Sequence, residues 1–441
     1  MRLTAVPVSK ETHGGMPTGE FFTRDSVEVL PALIQKYGGK ATLIYIDPPF
    51  MTGQTFQLRQ RYGEKGYRND STRTINIEAY HDFSMRKQNE YLDMMKKVLT
   101  GCRELLHQDG TIYVHVDQRL SAHIRLLLDE VFGQKRFMNE IIWHYKSGGR
   151  SSNSFSHKHD NILVYAKDEN PYFNVQAVAE KRGSEKRNNM KRVMGEDGHV
   201  YFTIKSAGKT YSYSADDLMS PGDVWNDIAH LQQKDPERTG YDTQKPEKLL
   251  ERILLASSPE KGLAVDLFSG SGTTCAAAAK LGRRFLGCDS SMASECVVRK
   301  RLLETGKGFL LYPGNTEAPL PSLSIRYSTN GKKGYTVQMV SYSPEIENAA
   351  LKGEIRQLKL EDSAMTGDKI MLGEECEGYE ALDYWAAGHI QNRVFRVCAY
   401  SFRSGRNPAL ETVFEIPGGD GQPAIHTVDA YGNSNYFAIE D

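Results

Sequence analysis

The stretch AVDLFSGSGTTCAAAAKLGRRFLGCDSS, residues 264–291, decides the fold. With Leu263 before it, the apolar segment LAVDLF reads as a buried strand that ends in a Gly-Ser-Gly turn and opens a helix of small residues, TTCAAAAKLG. A second strand, RRFLGC, then ends at Asp289. Gly270 and Gly272 permit positive φ and close approach to the backbone, and an acid at the next strand end can accept hydrogen bonds from a ribose diol. The design is that of a nucleotide cradle. The spacing is not GxGxxG, because Thr273 and Thr274 follow Gly272 directly, so a dinucleotide site and a plain tight connection stand as rival readings of this segment alone.

Outward from this segment the chain alternates strands and helices. ATLIYI reads as a buried strand, NEYLDMMKKVLTGCRELL carries apolar residues at helical spacing, and Asp109-Gly110 reads as a turn into the strand TIYVHV. LSAHIRLLLDEVFG is a helix ending at glycine, followed by the strands FMNEIIWHY and NILVYA. Residues 171–240 break the rhythm with polar, basic sequence, and the helix PEKLLERILLASS restores it. The last 130 or so residues look like a separate, mostly β body, with alternating segments such as GYTVQMVSY and RVFRVCAYSFR between turns.

The strand at residues 41–46 ends in an unusual way, in LIYIDPPFMTG, residues 43–53. Pro48 and Pro49 lack N–H groups and fix φ, which stiffens the segment and directs its carbonyls. An ordinary strand-ending turn explains Asp47-Pro48-Pro49 equally well in isolation.

At 441 residues and 39% apolar content the chain can bury a large core. It has no apolar run near membrane-spanning length and no signal-like apolar stretch at its start, so a soluble cytoplasmic protein with no membrane partner is expected. Its six cysteines (Cys102, Cys275, Cys288, Cys296, Cys376, Cys398) show no CxxC or metal-like spacing, so free thiols and no metal are expected. The net charge of −1 hides an asymmetry: residues 313–441 hold 11 Lys and Arg against 18 Asp and Glu, residues 1–312 hold 44 against 38. Basic residues are densest in KRGSEKRNNMKR, residues 181–192, either a solvated face or a phosphate-binding surface.

DLFSGSGTT resembles the S-adenosylmethionine motif of the amino-methyltransferases, and DPPF resembles their target-amine motif. The catalytic motif precedes the cofactor motif by over 200 residues, an order similar to the circularly permuted beta class of DNA amino-methyltransferases, the N6-adenine/N4-cytosine family. RDSVEVLPAL, DGTIYVHVD, NEIIWHY, HKHDNILVYAKD and TQKPEKLLERIL agree with the same family, across roughly residues 21–310. The resemblance implies an α/β, Rossmann-like S-adenosylmethionine-dependent methyltransferase fold, a mainly parallel sheet with helices on both faces. Its parts would be a catalytic domain in two pieces, residues 1–170 with DPPF and 241–312 with the cofactor motif, a target-recognition insertion at 171–240, and a mostly β accessory domain at 313–441.

The resemblance also implies a chemistry. An exocyclic amine is a poor nucleophile because its lone pair is delocalised into the ring. The Asp47 side chain and the Pro48 carbonyl would accept its two hydrogens, with Pro49 completing the rigid segment and Phe50 stacking on the extruded base. Cofactor contacts would come from Asp25, Lys245, Pro246, Asp266, Phe268, Ser269, Gly270, Ser271, Gly272, Thr273 and Asp289, with Asp289 at the ribose and Lys245-Pro246 closing over the methionine end. DNA contacts are expected from Lys186, Arg187, Lys191 and Arg192, and from Arg59 and Arg61 in the loop after DPPF, which reads either as a mobile DNA clamp or as a long solvated loop. His157, His159 and Asp117 read as surface or capping residues before any other role. The expected activity is site-specific methylation of adenine N6 in double-stranded DNA. N4 of cytosine is the alternative, and RNA or protein amines are further ones. A homodimer and a separately encoded restriction enzyme are candidate partners.

Overall fold

The computed structural model describes residues 2–440 except 69, 71, 147–150, 184–188, 315–317 and 345–378. Lys186, Arg187 and Cys376 therefore lie outside the described residues.

Six parallel strands form the centre, in the order Gly308–Tyr312, Pro17–Thr23, Arg284–Asp289, Leu263–Asp266, Ala41–Ile46 and Leu106–Val116. His159–Ala166 and Phe137–His144 extend one side in antiparallel fashion, so the whole sheet is mixed. Each side of a central strand faces its own core, which is why these strands read as unbroken apolar runs. Leu43 and Tyr45 pack with the helices Glu247–Ser257, Thr273–Lys280 and Met292–Glu304. Ile44 and Ile46 pack with Ser26–Tyr37, Gln88–Leu105 and Ser121–Phe132 on the opposite face.

The chain leaves Ala41–Ile46 towards Leu106–Val116 on one side, and leaves Leu263–Asp266 towards Arg284–Asp289 on the other. The two strands lie side by side, with Leu43 opposite Ala264 and Ile44 opposite Val265. Connections that diverge from neighbouring parallel strands open a crevice at their carboxyl ends. Asp47 and the Gly270 turn both stand at that crevice.

Three expectations need correction. Asp109-Gly110 is not a turn but part of the strand Leu106–Val116, at an irregularity where the pairing shifts from Leu106 to Thr111. Gly110 is there because a Cβ would lie 2.7 Å from the Ala41 carbonyl oxygen. The expected loop after DPPF is a hairpin, Thr55–Arg61 with Thr74–His81, around a short helix, Gly63–Arg68. Its period-2 signal was carried by polar residues: Leu58 and Gln60 are buried while Arg59 and Arg61 are exposed. The hairpin tip is anchored, since Tyr67 donates to Asp383 at 2.8 Å and Lys300 pairs with the same carboxylate at 2.5 Å. Finally, the C-terminal strands continue the central sheet. Val394–Phe402 pairs in parallel with Lys10–His13, which lies antiparallel to Gly308–Tyr312, and Leu382–Gln391, Gln422–Asp429, Ser434–Glu440 and Arg2–Ala5 follow. A second antiparallel sheet, Ser322–Thr329, Gly334–Ser343 and Val413–Pro417, packs over them around Val337, Trp385 and Ile425.

The seam between the two halves holds buried charge. Arg299 pairs with Glu11 at 2.9 Å and with Glu295 at 2.7 Å, all three side chains being at most 1% exposed. His13 and Tyr436 also hydrogen-bond to Glu11, and Thr23 donates to Glu295 at 2.6 Å. Burial opposes ionisation of Glu11, but the Arg299 guanidinium and its other partners hold the carboxyl well below the usual range. Removing one member of such a set leaves uncompensated buried charge. Arg299→Met is expected to cost about 3–5 kcal/mol in denaturant unfolding. A loss no larger than that of a surface substitution would show that the seam does not depend on this cation.

Candidate active site

A cleft of about 220 Å³ opens at the carboxyl ends of the central strands, lined by residues from both motifs. The cofactor turn is built first from its own hydrogen bonds. Asp266 accepts from Thr274 Oγ1 at 2.5 Å and from the Phe268 N–H at 3.0 Å, so its carboxylate ties the end of the strand to the start of the helix. Burial pushes its pKa up to about 7, against those two hydrogen bonds. Gly270 and Gly272 adopt φ of +49° and +72°, the left-handed region that glycine tolerates. Asp289 receives the Gly270 N–H at 2.8 Å and the Ser291 N–H at 2.9 Å, which fixes the acid beside the turn. Desolvation at the cleft raises its pKa to about 6.

Across the cleft stands Asp47. Its Oδ2 accepts from Lys245 Nζ at 2.5 Å, and its Oδ1 is buried without a hydrogen-bond partner. The Lys245 ammonium also lies 5.2 Å from the centre of the Phe50 ring. Phe50 stacks on His115 with centroids 6.1 Å apart. His115 in turn joins Tyr45 Oη at 2.8 Å to Asp160 Oδ2 at 3.1 Å.

The structure brings most of the sequence-predicted residues together. Asp25, Asp47, Pro49, Lys245, Asp266, Phe268, Ser269, Gly270, Ser271, Thr273 and Asp289 all line the cleft. Asp25 is at the same time the N-cap of the helix Ser26–Tyr37, accepting from the Val27 and Glu28 N–H groups at 2.8 and 3.2 Å. Pro48, Phe50, Pro246 and Gly272 are not part of the lining. Pro246 caps the helix Glu247–Ser257, and a Cβ on Gly272 would meet Val298 at 2.6 Å, on the helix side of the turn. Space for a ligand is therefore not what requires glycine at 272. At Gly270 the nearest neighbour of a Cβ would be the Tyr241 ring at 3.3 Å, inside the cleft. Arg59 and Arg61 are exposed on the hairpin, and Lys191 and Arg192 on the first strand of a small antiparallel sheet, Lys191–Met194, Val200–Ser206 and Lys209–Ser214. Asp117 holds Arg119, and His157 is exposed.

Sequence reasoning missed Tyr80, Tyr241, His115 and Asp160. A titratable side chain inside the apolar run TIYVHV was a usable signal for His115, which is fully buried. Nothing local marked the two tyrosines.

The donor set suits S-adenosylmethionine. Four carboxylates, Asp25, Asp47, Asp266 and Asp289, line a cleft that a cationic, hydroxyl-bearing ligand complements, and the buried Tyr241 Oη has no hydrogen-bond partner there. Asp289 and Asp25 would hold its adenosine part, and the backbone at Gly270 its methionine part.

The DNA methylase family model, N6_N4_Mtase, matches residues 41–295. The type II methyltransferase M.EcaI of Enterobacter cloacae is 26% identical over 344 residues, covering 66% of this chain and 71% of that protein. The DNA adenine methyltransferase YhdJ of Escherichia coli (strain K12) is 29% identical over 251 residues, covering 56% and 71%. Among solved structures, the PvuII DNA methyltransferase (cytosine-N4-specific) aligns with a TM-score of 0.44 at 16% identity, covering 67% of this chain and 88% of that one.

Gly270→Val is expected to weaken S-adenosylmethionine binding in calorimetry by narrowing the cleft at Tyr241. Both changes strain a left-handed backbone position, and Gly272→Val is expected to lower the melting temperature further through its clash with Val298, with partial relief from a second change, Val298→Ala. Because the raised Asp289 carboxyl takes up a proton as pH falls through about 6 and then no longer serves as a pure acceptor, cofactor affinity should drop below that pH. Asp289→Asn should bind more weakly and lose this pH dependence between pH 5 and 7.

Proposed function

Since the chain belongs to the DNA methylase family, we propose that it methylates N6 of adenine at a specific sequence in double-stranded DNA. The observation that carries this reading is the Asp47 carboxylate, which presents one buried, unpartnered oxygen beside the cofactor turn. Such an acceptor is costly to bury unless a ligand donor satisfies it. An exocyclic amine is that donor.

S-adenosylmethionine, when bound, supplies a methyl group activated on a sulfonium. The chain's own residues prepare the nucleophile. Asp47 Oδ1 and the Pro48 carbonyl accept the two amine hydrogens, which favours a pyramidal nitrogen and leaves its lone pair free. The negative charge of Asp47 stabilises the positive charge that develops on that nitrogen. Phe50, braced from behind by His115, offers its ring to the base. Neighbouring strands hold both halves of this arrangement, so orientation contributes much of the acceleration.

Adenine is preferred over cytosine because the motif begins with aspartate, and because the relative YhdJ is named for adenine. We read residues 171–240 as the recognition region, supported by the exposed Lys191 and Arg192. A separately encoded restriction enzyme as partner is supported by relatives from type II and type III systems. Self-association into a homodimer belongs to the same reading, and light scattering tests it.

Incubation of unmethylated genomic DNA with labelled S-adenosylmethionine, followed by nucleoside analysis, is expected to yield N6-methyladenine. N4-methylcytosine would replace the substrate assignment. Asp47→Asn should slow transfer by about 10²–10³-fold or more while cofactor affinity stays near the parent value. Transfer at close to the parent rate would remove Asp47 from the mechanism.

A further inference from the structure

Lys245 was expected to close over the cofactor, yet its ammonium is committed elsewhere. It donates to Asp47 Oδ2 at 2.5 Å, with the two side chains only 11% and 16% exposed. The main chain of the same residue is tied to the cofactor turn, because Thr273 Oγ1 donates to the Lys245 carbonyl at 3.2 Å. Thr273 is itself held by Arg301 at 2.8 Å. One residue thus joins the two motifs, backbone to the cofactor turn and side chain to the catalytic carboxylate.

We infer that Lys245 is the positioning residue for Asp47: it pins Oδ2 so that Oδ1 faces the target amine in a fixed direction. The inference rests on the amino-methyltransferase reading. A carboxylate on a short side chain turns easily about its last torsion, which is broad and roughly two-fold. Without a pin, either oxygen can face the cleft at a range of angles. A charge-assisted hydrogen bond to one oxygen removes that freedom for both. The pin has an electrostatic disadvantage, since a cation at Oδ2 weakens the field that Asp47 offers to a nitrogen gaining positive charge. What Lys245 contributes is therefore direction. The ammonium also stands over the Phe50 ring, 5.2 Å from its centre, so the pin lies beside the ring proposed to receive the base. The attachment to Thr273 makes the direction depend on the cofactor turn being in place.

Three properties separate this role from the others open to Lys245. A contact to the cofactor's methionine end predicts weaker cofactor binding on substitution. A helix-start role predicts lower stability with unchanged chemistry. A positioning role predicts slow methyl transfer with cofactor binding intact, and recovery when a donor of similar reach is restored.

The test compares the parent with Lys245→Met and Lys245→Arg on unmethylated genomic DNA. Single-turnover transfer of label gives the rate, calorimetry gives the S-adenosylmethionine Kd, and thermal unfolding reports the fold. Lys245→Met is expected to slow transfer about 100-fold, the cost typical of misplacing a reacting group by about 1 Å, with the Kd near the parent value. Lys245→Arg is expected to recover most of the rate. Transfer by Lys245→Met at the parent rate or faster overturns the inference. So does a rate loss accounted for by weaker cofactor binding or by a lowered melting temperature. The rate counts label on whichever base carries it, so an N4-methylcytosine product changes the substrate assignment and leaves this comparison standing. A parent that labels no base removes the reading and the inference together.

Discussion

The site depends on one pairing, that of Ala41–Ile46 with Leu263–Asp266. The two strands are more than 200 residues apart in the chain, yet their register sets Ile44 against Val265 and so brings Asp47 and the Gly270 turn to the same edge. A one-residue slip would turn Leu43 and Tyr45 into the wrong core and move Asp47 along the cleft. Burial on both faces excludes that slip, because Leu43 and Tyr45 are needed in one core and Ile44 and Ile46 in the other. Packing of apolar side chains far from the chemistry therefore fixes the distance between the two motifs.

Four aspartates in one cleft should repel, and the structure assigns each a different counterweight. Asp25 spends its charge on the N-terminus of a helix, where backbone N–H groups and the helix dipole favour an anion. Asp266 is consumed inside the turn by Thr274 and Phe268. Asp289 takes two backbone N–H groups, and Asp47 takes the Lys245 ammonium. Burial still raises Asp266 and Asp289, to about 7 and about 6, because desolvation disfavours their charged forms more than these hydrogen bonds favour them.

Much of this was legible in the sequence where the signal was local. The central strands, the glycine turn and DPPF were readable because unbroken apolar runs, positive-φ glycines and proline pairs each have a direct physical meaning. Arg59 and Arg61 were placed in a loop because their hairpin alternates polar residues with few apolar ones, and its order comes from contacts with Asp383 and Glu380, over 300 residues away. Glycine at 272 was assigned to ligand space because a sequence cannot show that Val298 lies behind it. The pairing of Lys245 with Asp47 was out of reach for the same reason: both residues were singled out, but the ion pair exists only once the strands meet.

The C-terminal strands carried no motif, and their bearing on the site emerges from one helix. Adjacent residues on Met292–Glu304 point in different directions, because successive side chains are turned by about 100° around the axis. Arg299 faces the seam and holds Glu11 and Glu295. Lys300 faces the hairpin tip, through Asp383 and Tyr67. Arg301 faces the cofactor turn and holds Thr273, whose hydroxyl in turn reaches the Lys245 carbonyl. Three consecutive cations thus connect the C-terminal sheet, the basic hairpin and the catalytic cleft to a single rigid element. The acidic stretch of residues 313–441 braces the hairpin and the cleft through this helix.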